Sequence, residues 1–274
     1  ICQAGRKIFM SKIRTGLRRW FIENRQSLLW VIISFSCLLI AWQLASLSSE
    51  GRLQIPSPGA VFAAFFESFV EPIGKNTIQE HAAISLGRVL LGFSVASVIG
   101  IVLGILMGVS EVVRAIVNPI FEFVRPIPPI AWIPLSILWF GLGSANKVFI
   151  IFIASFTYVT INAYEGARNV DPQLIGAAKM LGASRTRIFT HIIFPSSVPY
   201  IFAGLQIALG VSWAADVAAE IIYSQNGVGW IITMGMNNGN YTQIMVGIIA
   251  IGIIGYLVST IMRAVEGRLC RWNK

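Results

Sequence analysis

Charged residues are scarce in this sequence. Asp, Glu, Lys and Arg make up 12% of the 274 residues, whereas apolar residues make up 55%, and the mean hydropathy is +0.73. Soluble domains carry about 25% charged residues, so this composition excludes an ordinary soluble domain and indicates an integral membrane protein.

Cysteine and histidine are scarce as well. Cys2, Cys37 and Cys270 are isolated and share no ligand spacing, which leaves no basis for a disulfide framework or a metal site. His81 and His191 lie near predicted membrane borders and form no catalytic cluster. We therefore expect this chain to contain no catalytic residue, no metal site and no cofactor.

Two further classes are disfavoured. The sequence has no G-x-x-x-x-G-K-[ST] phosphate loop, so we expect no ATP hydrolysis by this chain. The formal net charge of +9 would fit a nucleic-acid partner, but the Lys and Arg residues fall between apolar runs and do not cluster. Nucleic acid is therefore not expected as a partner.

Six apolar runs are long enough to cross a bilayer, which takes about 20 residues. We predict an all-α membrane protein with six transmembrane helices, at residues 28–47, 82–109, 119–140, 148–164, 194–222 and 243–262. The first run is too long for the core of a signal peptide, so it is interpreted as a retained anchor. Met10 precedes a basic stretch typical of a natural start, and residues 1–9 are interpreted as a start-site artefact.

The distribution of positive charge predicts the orientation. Of the 21 Lys and Arg residues, 16 precede the first span or follow the second, fourth and sixth spans. Cytoplasmic loops retain positive charge, so both termini are predicted to be cytoplasmic. The predicted organisation is a cytoplasmic segment (1–27), an anchor (28–47), a periplasmic loop with a surface helix (48–81), a core (82–262) containing a cytoplasmic loop (165–193), and a tail (263–274).

The cytoplasmic loop carries clear helix signals. Asp171 is typical of an N-cap, Pro172 of a first helical position and Gly182 of the residue after a helix end. Ser184 predicts the start of a second short helix. An apolar stripe follows the helical period at Leu174, Ala177, Ala178 and Leu181. This stripe packs either on its own bundle or on a partner.

At these residues the sequence resembles a known family. The segment "GAAKMLGASRTRIFTHIIFP" is similar to the coupling loop of ATP-binding cassette importer permeases, with Ala177, Ala178, Gly182, Ile192 and Pro195 at the expected spacings. Gly176 replaces the usual Glu, and Phe194 the usual Leu. Segments such as "RPIPPIAWIPLSILWFGLG" and "VAAEIIYSQNGVGWII" resemble the nitrate, sulfonate and taurine group, and most closely its taurine and alkanesulfonate members.

The resemblance implies a type I importer permease in a multi-pass bacterial inner-membrane location. It implies a homodimer, surrounded by lipid, that assembles with two cytoplasmic ATP-binding subunits and a periplasmic or lipid-anchored solute-binding protein. ATP and Mg would bind the partner ATPases and not this chain. The residues expected to couple to the ATPase are Leu174, Gly176, Ala177, Ala178, Leu181, Gly182, Ala183, Ser184 and Arg185.

Charged and irregular positions inside spans are the candidate pathway. Polar groups in a bilayer are costly, and proline-broken backbone commonly lines a cavity. The candidates are Arg125, Pro128, Trp132, Trp213, Asp216 and Glu220. Arg88 is expected to extend to the outer interface, and a local ion pair with Glu122 competes with a pathway role for Arg125.

The two carboxylates need an explanation, because Asp216 and Glu220 are spaced to share one helical face. They are hydrated near the outer mouth, neutralised by Arg125 of the same or the second subunit, or placed behind the pathway. Close glycines at Gly100, Gly104 and Gly108 predict helix packing within one subunit.

The expected substrate is a small anion or zwitterion, with taurine or a related sulfonate ahead of nitrate or bicarbonate and an uncharged heterocycle behind both. A six-span channel would carry paired Asn-Pro-Ala motifs, and a secondary transporter would show inverted repeats; the sequence shows neither. An importer permease is the function we expect.

Overall fold

The computed structural model describes residues 29–47 and 55–269. The predicted segment 1–27, the interpretation of residues 1–9 and the last five residues of the tail lie outside the described residues. The described part contains helices and no named strand. The described residues divide into two compact units at the boundary between Ala63 and Ala64, and each unit is described separately.

The first unit contains helix α1, Leu29–Leu47, and the start of α2, Pro58–Glu67. None of the apolar window in α1 is buried, as expected for a helix that faces lipid. Within this unit the indole nitrogen of Trp42 donates to the backbone oxygen of Pro56 over 3.1 Å. The predicted short helix after the anchor is confirmed as α2, whereas its position along a membrane surface stays a prediction.

The second unit contains nine further α-helices, a 3₁₀ turn and a π turn among its described residues. They are α3 (Ile78–Val109), α4 (Glu111–Val124), the 3₁₀ turn (Pro129–Trp132), α5 (Ile133–Phe140), α6 (Ser144–Arg168), α7 (Pro172–Met180), α8 (Arg185–Ile188), the π turn (Phe189–Ile193), α9 (Phe194–Ile222), α10 (Val228–Asn237) and α11 (Tyr241–Leu269).

The number of predicted spans agrees with the structure. Five described helical stretches are long and apolar enough to cross a membrane, and a sixth arises if the bent pair of α4 and the 3₁₀–α5 segment forms one span. The predicted bounds 194–222 coincide with α9.

The third predicted span is not a single straight helix. The axis turns by 88° between Glu111–Val124 and Pro129–Phe140. Pro126, Pro128 and Pro129 occupy the break, where each proline lacks the N–H that an uninterrupted helix requires. The proline run therefore predicts the irregular backbone of this span correctly.

Close glycine contacts hold α3 against α6. A Cβ added at Gly104 would lie only 2.8 Å from the Cβ of Ala163, and one at Gly100 would lie 3.0 Å from the Thr160 hydroxyl. Such contacts let two backbones approach closely, which is how helices associate in a bilayer that provides no hydrophobic driving force between them. The prediction that these glycines pack helices within one subunit is confirmed.

The packing defines two ends of the second unit. Gly108 near the end of α3 meets Ala167 near the end of α6, and Gly166 meets Ser197 near the start of α9. This end carries α7 and α8 and is called the loop end. The starts of α3 and α6 and the end of α9 lie at the opposite end, which is called the charged end.

Helix α10 is not predicted by span analysis, which assigns residues 223–242 to a loop. Val228 and Ile231 in α10 are fully buried. The apolar run is only 10 residues long, too short for a span by the 20-residue criterion. Helix α10 instead packs against α9 and α11.

Candidate functional site

The start of α7 follows the predicted signals. The Asp171 carboxylate accepts a hydrogen bond of 2.8 Å from the backbone nitrogen of Gln173, and Pro172 is the first helical residue. The carboxylate thus satisfies one of the backbone donors that every helix start leaves free.

The end of α7 is a tight turn centred on Gly182, whose φ is +74°. The Ala183 nitrogen donates to the Ala178 oxygen, and the Gly182 nitrogen donates to the Lys179 oxygen, both over 3.0 Å. This pattern caps the last carbonyls and requires a residue that tolerates the left-handed region. Ser184 then accepts a bond from the Arg187 nitrogen and begins α8, as predicted.

The apolar stripe of α7 is largely exposed: of its four residues, Leu174, Ala177 and Leu181 are exposed and Ala178 is half-buried. Leu174 is 54% exposed and Leu181 is 87% exposed, and no residue of α7 is buried. A Cβ added at Gly176 or at Gly182 would have no neighbouring heavy atom within 4 Å. This exposure disfavours the interpretation that the stripe packs on its own bundle. Nine ATPase-coupling candidates lie together here on α7, its turn and the first residue of α8.

A second constellation, the charge cluster, lies at the charged end and centres on Glu220. The Glu220 carboxylate accepts hydrogen bonds from the Ser85 hydroxyl (2.7 Å), the Arg88 guanidinium (2.7 Å) and the Gly229 backbone nitrogen (2.9 Å). Glu220 is fully buried and Arg88 is 6% exposed. A buried carboxylate with three donors, one of them cationic, is well compensated for the loss of water.

Arg88 links the same cluster to two other parts of the unit. Its Nε donates to the Ser144 hydroxyl at the start of α6 over 3.2 Å. Its Nη2 donates to the side-chain oxygen of Asn226 in the turn between α9 and α10. One guanidinium therefore connects α3, α6, α9 and that turn.

The turn itself is fixed by α3. The Gly227 nitrogen donates to His81 Nδ1, and the Val228 nitrogen donates to the Ser85 hydroxyl, both over 3.0 Å. Gly227 has a φ of +105°, and a Cβ there would overlap the Glu220 carboxylate. The residue at this position must be glycine because of both backbone angle and space.

Several expectations for charged residues are wrong. Arg88 does not extend to an interface, because it is buried and paired with Glu220. Asp216 and Glu220 are not exposed at an outer mouth, because both are fully buried. Arg125 does not neutralise them within the chain: it pairs with Glu122 over 3.3 Å, with both side chains about half exposed. That local ion pair is the alternative interpretation of Arg125, and it is confirmed.

The six pathway candidates do not form one site. Arg125 and Pro128 line a cavity of about 480 Å³ together with Thr157 and Tyr158 of α6. Trp132 instead packs against the Ile133–Ile150–Ala219 core. Trp213 donates from its indole nitrogen to the Ile251 oxygen of α11 over 3.2 Å.

Comparison with known proteins decides the family. Residues 96–272 match the family model described as "Binding-protein-dependent transport system inner membrane component". The chain belongs to this family. The permease is 36% identical over 257 residues to "Taurine transport system permease protein TauC" of Escherichia coli (strain K12), covering 93% of each chain.

Two further similarities agree. The permease is 35% identical over 241 residues to "Nitrate import permease protein NrtB" of Synechocystis sp. (strain ATCC 27184 / PCC 6803 / Kazusa), covering 85% of this chain and 86% of the relative. Its fold resembles a solved structure titled "Crystal structure of an amino acid ABC transporter with histidines". The TM-score is 0.59 at 17% sequence identity, and the match covers 76% of this chain and 97% of the chain in that structure. The permease is thus a multi-pass membrane transport component of the nitrate, sulfonate and taurine group.

Sequence reasoning misses most of the charge cluster. Ser85 and Arg88 stand three residues apart within an apolar span, a signal that points to a buried polar partner. Lys147, assigned to a loop by span analysis, is 4% exposed in the first turn of α6. Asn226 carries no local signal, because its partner is 138 residues away.

Removing one member of the buried pair should destabilise the permease strongly. Glu220→Gln leaves the Arg88 charge buried without a counter-charge, which should lower the free energy of unfolding by about 3–5 kcal/mol. In the double variant Arg88→Met/Glu220→Gln, part of this loss should be recovered because the guanidinium that Glu220→Gln leaves without its counter-charge is then absent. Thermal unfolding of the detergent-solubilised variants measures both effects.

The matched control is the exposed pair Arg125 and Glu122. Glu122→Gln should cost no more than about 1 kcal/mol, since exposed ion pairs contribute little. Equal destabilisation by Glu220→Gln and Glu122→Gln would contradict the role assigned to the buried pair.

Proposed function

We propose that the chain is the membrane subunit of an ATP-driven importer that moves a small anionic or zwitterionic solute by alternating access. The observation that carries this proposal is the capped helix α7, whose apolar stripe is exposed in a family named for binding-protein-dependent transport. A helix with an unpartnered apolar face and small residues at its middle suits insertion into a groove on another protein.

The partners proposed follow from the same family. Two permease copies assemble with two ATP-binding subunits, which bind ATP and Mg, and a solute-binding protein delivers the solute. The small residues Gly176, Ala177 and Ala178 allow the ATPase surface to approach the α7 backbone. Gly176 replaces the carboxylate usual in this motif, so docking relies on shape and apolar contact and not on a salt bridge at that position.

The connection from α7 into the bundle supports a mechanical role. Helix α8, the π turn and α9 form one continuous helical stretch, Arg185–Ile222, 38 residues long. One end carries the docking turn and the other carries Asp216 and Glu220. Closure of the nucleotide-bound ATPases would displace α7 and α8, and the continuous helical stretch would pass that movement to the charge cluster.

The proposed orientation places the loop end in the cytoplasm. Arg168, Lys179, Arg185 and Arg187 lie between α6 and α9, and positive loops remain cytoplasmic during insertion. The charged end then faces the side from which a binding protein delivers solute.

Cysteine labelling tests this orientation. In a background lacking Cys2, Cys37 and Cys270, a membrane-impermeant thiol reagent applied to intact cells should modify Lys75→Cys and leave Arg185→Cys unmodified. Both positions are exposed in the structure, so lysed cells should show modification of both. Labelling of position 185 from outside would overturn the orientation and with it the proposed docking side.

Gly182 provides the test of coupling. Gly182→Leu introduces a side chain at a positive φ and projects it into the open space beside α7. In the reconstituted transporter, solute imported per ATP hydrolysed should fall by about fivefold or more, the scale of a typical coupling free energy. Assembly with the ATPase is checked by co-purification.

Gly239→Leu is the matched control for this variant. Gly239 also has a positive φ (+65°) and no atom within 4 Å of an added Cβ, but it lies between α10 and α11. It should retain the transport-to-hydrolysis ratio of the unmodified protein. A normal ratio for Gly182→Leu in an assembled complex would exclude this turn as the coupling element.

For the substrate we propose taurine or a related sulfonate, with nitrate or bicarbonate as the second candidate. The relative named for taurine transport and the relative named for nitrate import are almost equally similar, at 36% and 35% identity. Because Glu220 is paired with Arg88 and both Asp216 and Glu220 are fully buried, these carboxylates do not exclude an anion. The ranking therefore rests on the sequence resemblance to taurine and alkanesulfonate permeases.

Calorimetry on the cognate solute-binding protein tests the substrate. We expect taurine or an alkanesulfonate to bind at least about 100-fold more tightly than nitrate or bicarbonate, since a site built around one set of hydrogen-bonding groups rejects ligands that leave them unpaired. Tight nitrate binding without taurine binding would replace the sulfonate assignment and leave the permease assignment standing.

A further inference from the structure

The charged end contains a polar cavity that none of the sequence motifs identifies. Its volume is about 340 Å³, and its polar lining includes Arg88, Ser144, Lys147, Tyr223, Ser224 and Asn226. No Asp or Glu is among its lining residues. The carboxylates of Asp216 and Glu220 belong to the same region but are fully buried behind it. The cavity wall is therefore cationic, although the positive charges of Arg88 and Lys147 are formally balanced by the negative charges of Asp216 and Glu220.

Lys147 is the cation that the fold leaves incompletely satisfied, as it leaves both oxygens of the buried Asp216 carboxylate without a hydrogen-bond partner among the described residues. Its side chain is buried, and its Nζ donates one hydrogen bond, of 3.0 Å, to the Gly143 oxygen. An ammonium group has three donors, and the described residues offer no carboxylate within 4 Å of this one. A buried cation is costly unless a counter-charge accompanies it.

The start of α6 adds backbone donors to the same wall. Gly143 is the N-cap of α6 and provides no side-chain cap, and both Gly143 and Ser144 line the cavity. The first backbone N–H groups of a helix have no partner within the helix, and the helix dipole is positive there. The Lys147 ammonium group and the backbone N–H groups at the start of α6 thus lie at the same cavity, an arrangement that suits binding of an oxyanion.

Arg88 has a different part in this wall. Its guanidinium is held by Glu220, Ser144 and Asn226, so it is oriented before any ligand arrives. Lys147 has donors to spare, whereas Arg88 has most of its hydrogen-bonding capacity committed. Lys147 and not Arg88 is consequently the residue on which ligand binding should depend.

We propose that this cavity binds the oxyanion group of the incoming solute, with Lys147 as its charge partner and the start of α6 as its amide donor. The ligand class is a small oxyanion such as a sulfonate, nitrate or bicarbonate. The inference rests on the proposed import of a small anion or zwitterion. It adds a solute-binding position within the permease, at the end of the bundle opposite to α7.

A charge-sensitive thiol reaction tests the electrostatics of the cavity. Gln225 lies at the exposed rim, and Gln225→Cys is made in the transporter complex lacking Cys2, Cys37 and Cys270. The rate of reaction with anionic sulfonatoethyl methanethiosulfonate is divided by the rate with its cationic trimethylammonioethyl analogue. Lys147→Met should lower this ratio at least about tenfold, because one nearby positive charge acts oppositely on the two reagents.

Three variants control this measurement. Lys147→Arg should keep the ratio, because it keeps the charge, and Lys147→Gln should lower it in the same way as Lys147→Met. Lys75→Met removes an exposed Lys from the segment before α3 and should leave the ratio within about twofold, because exposed charges are screened by salt. An unchanged ratio in both neutral Lys147 variants would overturn the proposal.

Ligand protection tests binding directly. Taurine or nitrate at millimolar concentration should slow modification of Gln225→Cys with a saturable dependence on concentration, and chloride at the same ionic strength should not. The protection should fall at least about fivefold in Lys147→Met and remain in Lys147→Arg, as expected for a charge-assisted contact. Equal protection by chloride, or protection that is independent of Lys147, would overturn the oxyanion site.

The same preparations separate this proposal from the proposed function. Normal ATP-driven import without anion protection would remove the site and leave the importer assignment intact. Oxyanion protection in a fully assembled complex that imports none of the tested solutes would support the site while contradicting the function.

Discussion

The buried ion pair between Arg88 and Glu220 is the interaction on which the charged end depends. In a bilayer no bulk water is available to satisfy a charged or polar group, so each one must find its partner inside the protein. Glu220 meets this requirement with a guanidinium, a hydroxyl and a backbone amide. Through Arg88 the same pair holds the start of α6 and the α9–α10 turn in place. The geometry of the proposed solute cavity follows from these bonds.

Close helix packing is the second requirement, and glycine meets it. Hydrophobic burial gives little preference for helix–helix over helix–lipid contact, so association relies on backbone proximity and dispersion. Gly100 and Gly104 bring α3 onto α6, and Gly204 brings α9 onto the same helix, where an added Cβ would lie 2.6 Å from the Cβ of Asn162. This three-helix core keeps the charged end and the loop end in register. In the proposed cycle, the helical stretch that leads into α9 carries a movement applied at α7 toward the charged end.

In the proposed cycle, the two ends of the second unit use opposite means of recognition. At the loop end an apolar stripe with small residues is left exposed, and recognition by a protein groove depends on shape and desolvation. At the charged end the wall is cationic, and recognition of a small oxyanion depends on charge and hydrogen bonding. The proposed transport cycle connects them, since the ATPases docked at the loop end drive the movement and the charged end receives the solute. Arg125 and the cavity that it lines at the broken span belong to neither surface, and no step of the proposed cycle involves them.

The sequence by itself determined the membrane class, the positions of the long helices, the caps of α7 and its turn, and the family. These features depend on local signals: apolar length, the residues that satisfy helix ends, and a left-handed glycine. Tertiary structure alone decided which charges meet. Arg88 and Glu220 are 132 residues apart. No local pattern in the sequence favours pairing Glu220 with Arg88 over pairing it with Arg125, which lies in the proline-broken span. The same holds for the short helix α10 and the burial of Lys147, because burial by neighbouring helices depends on distant segments of the chain.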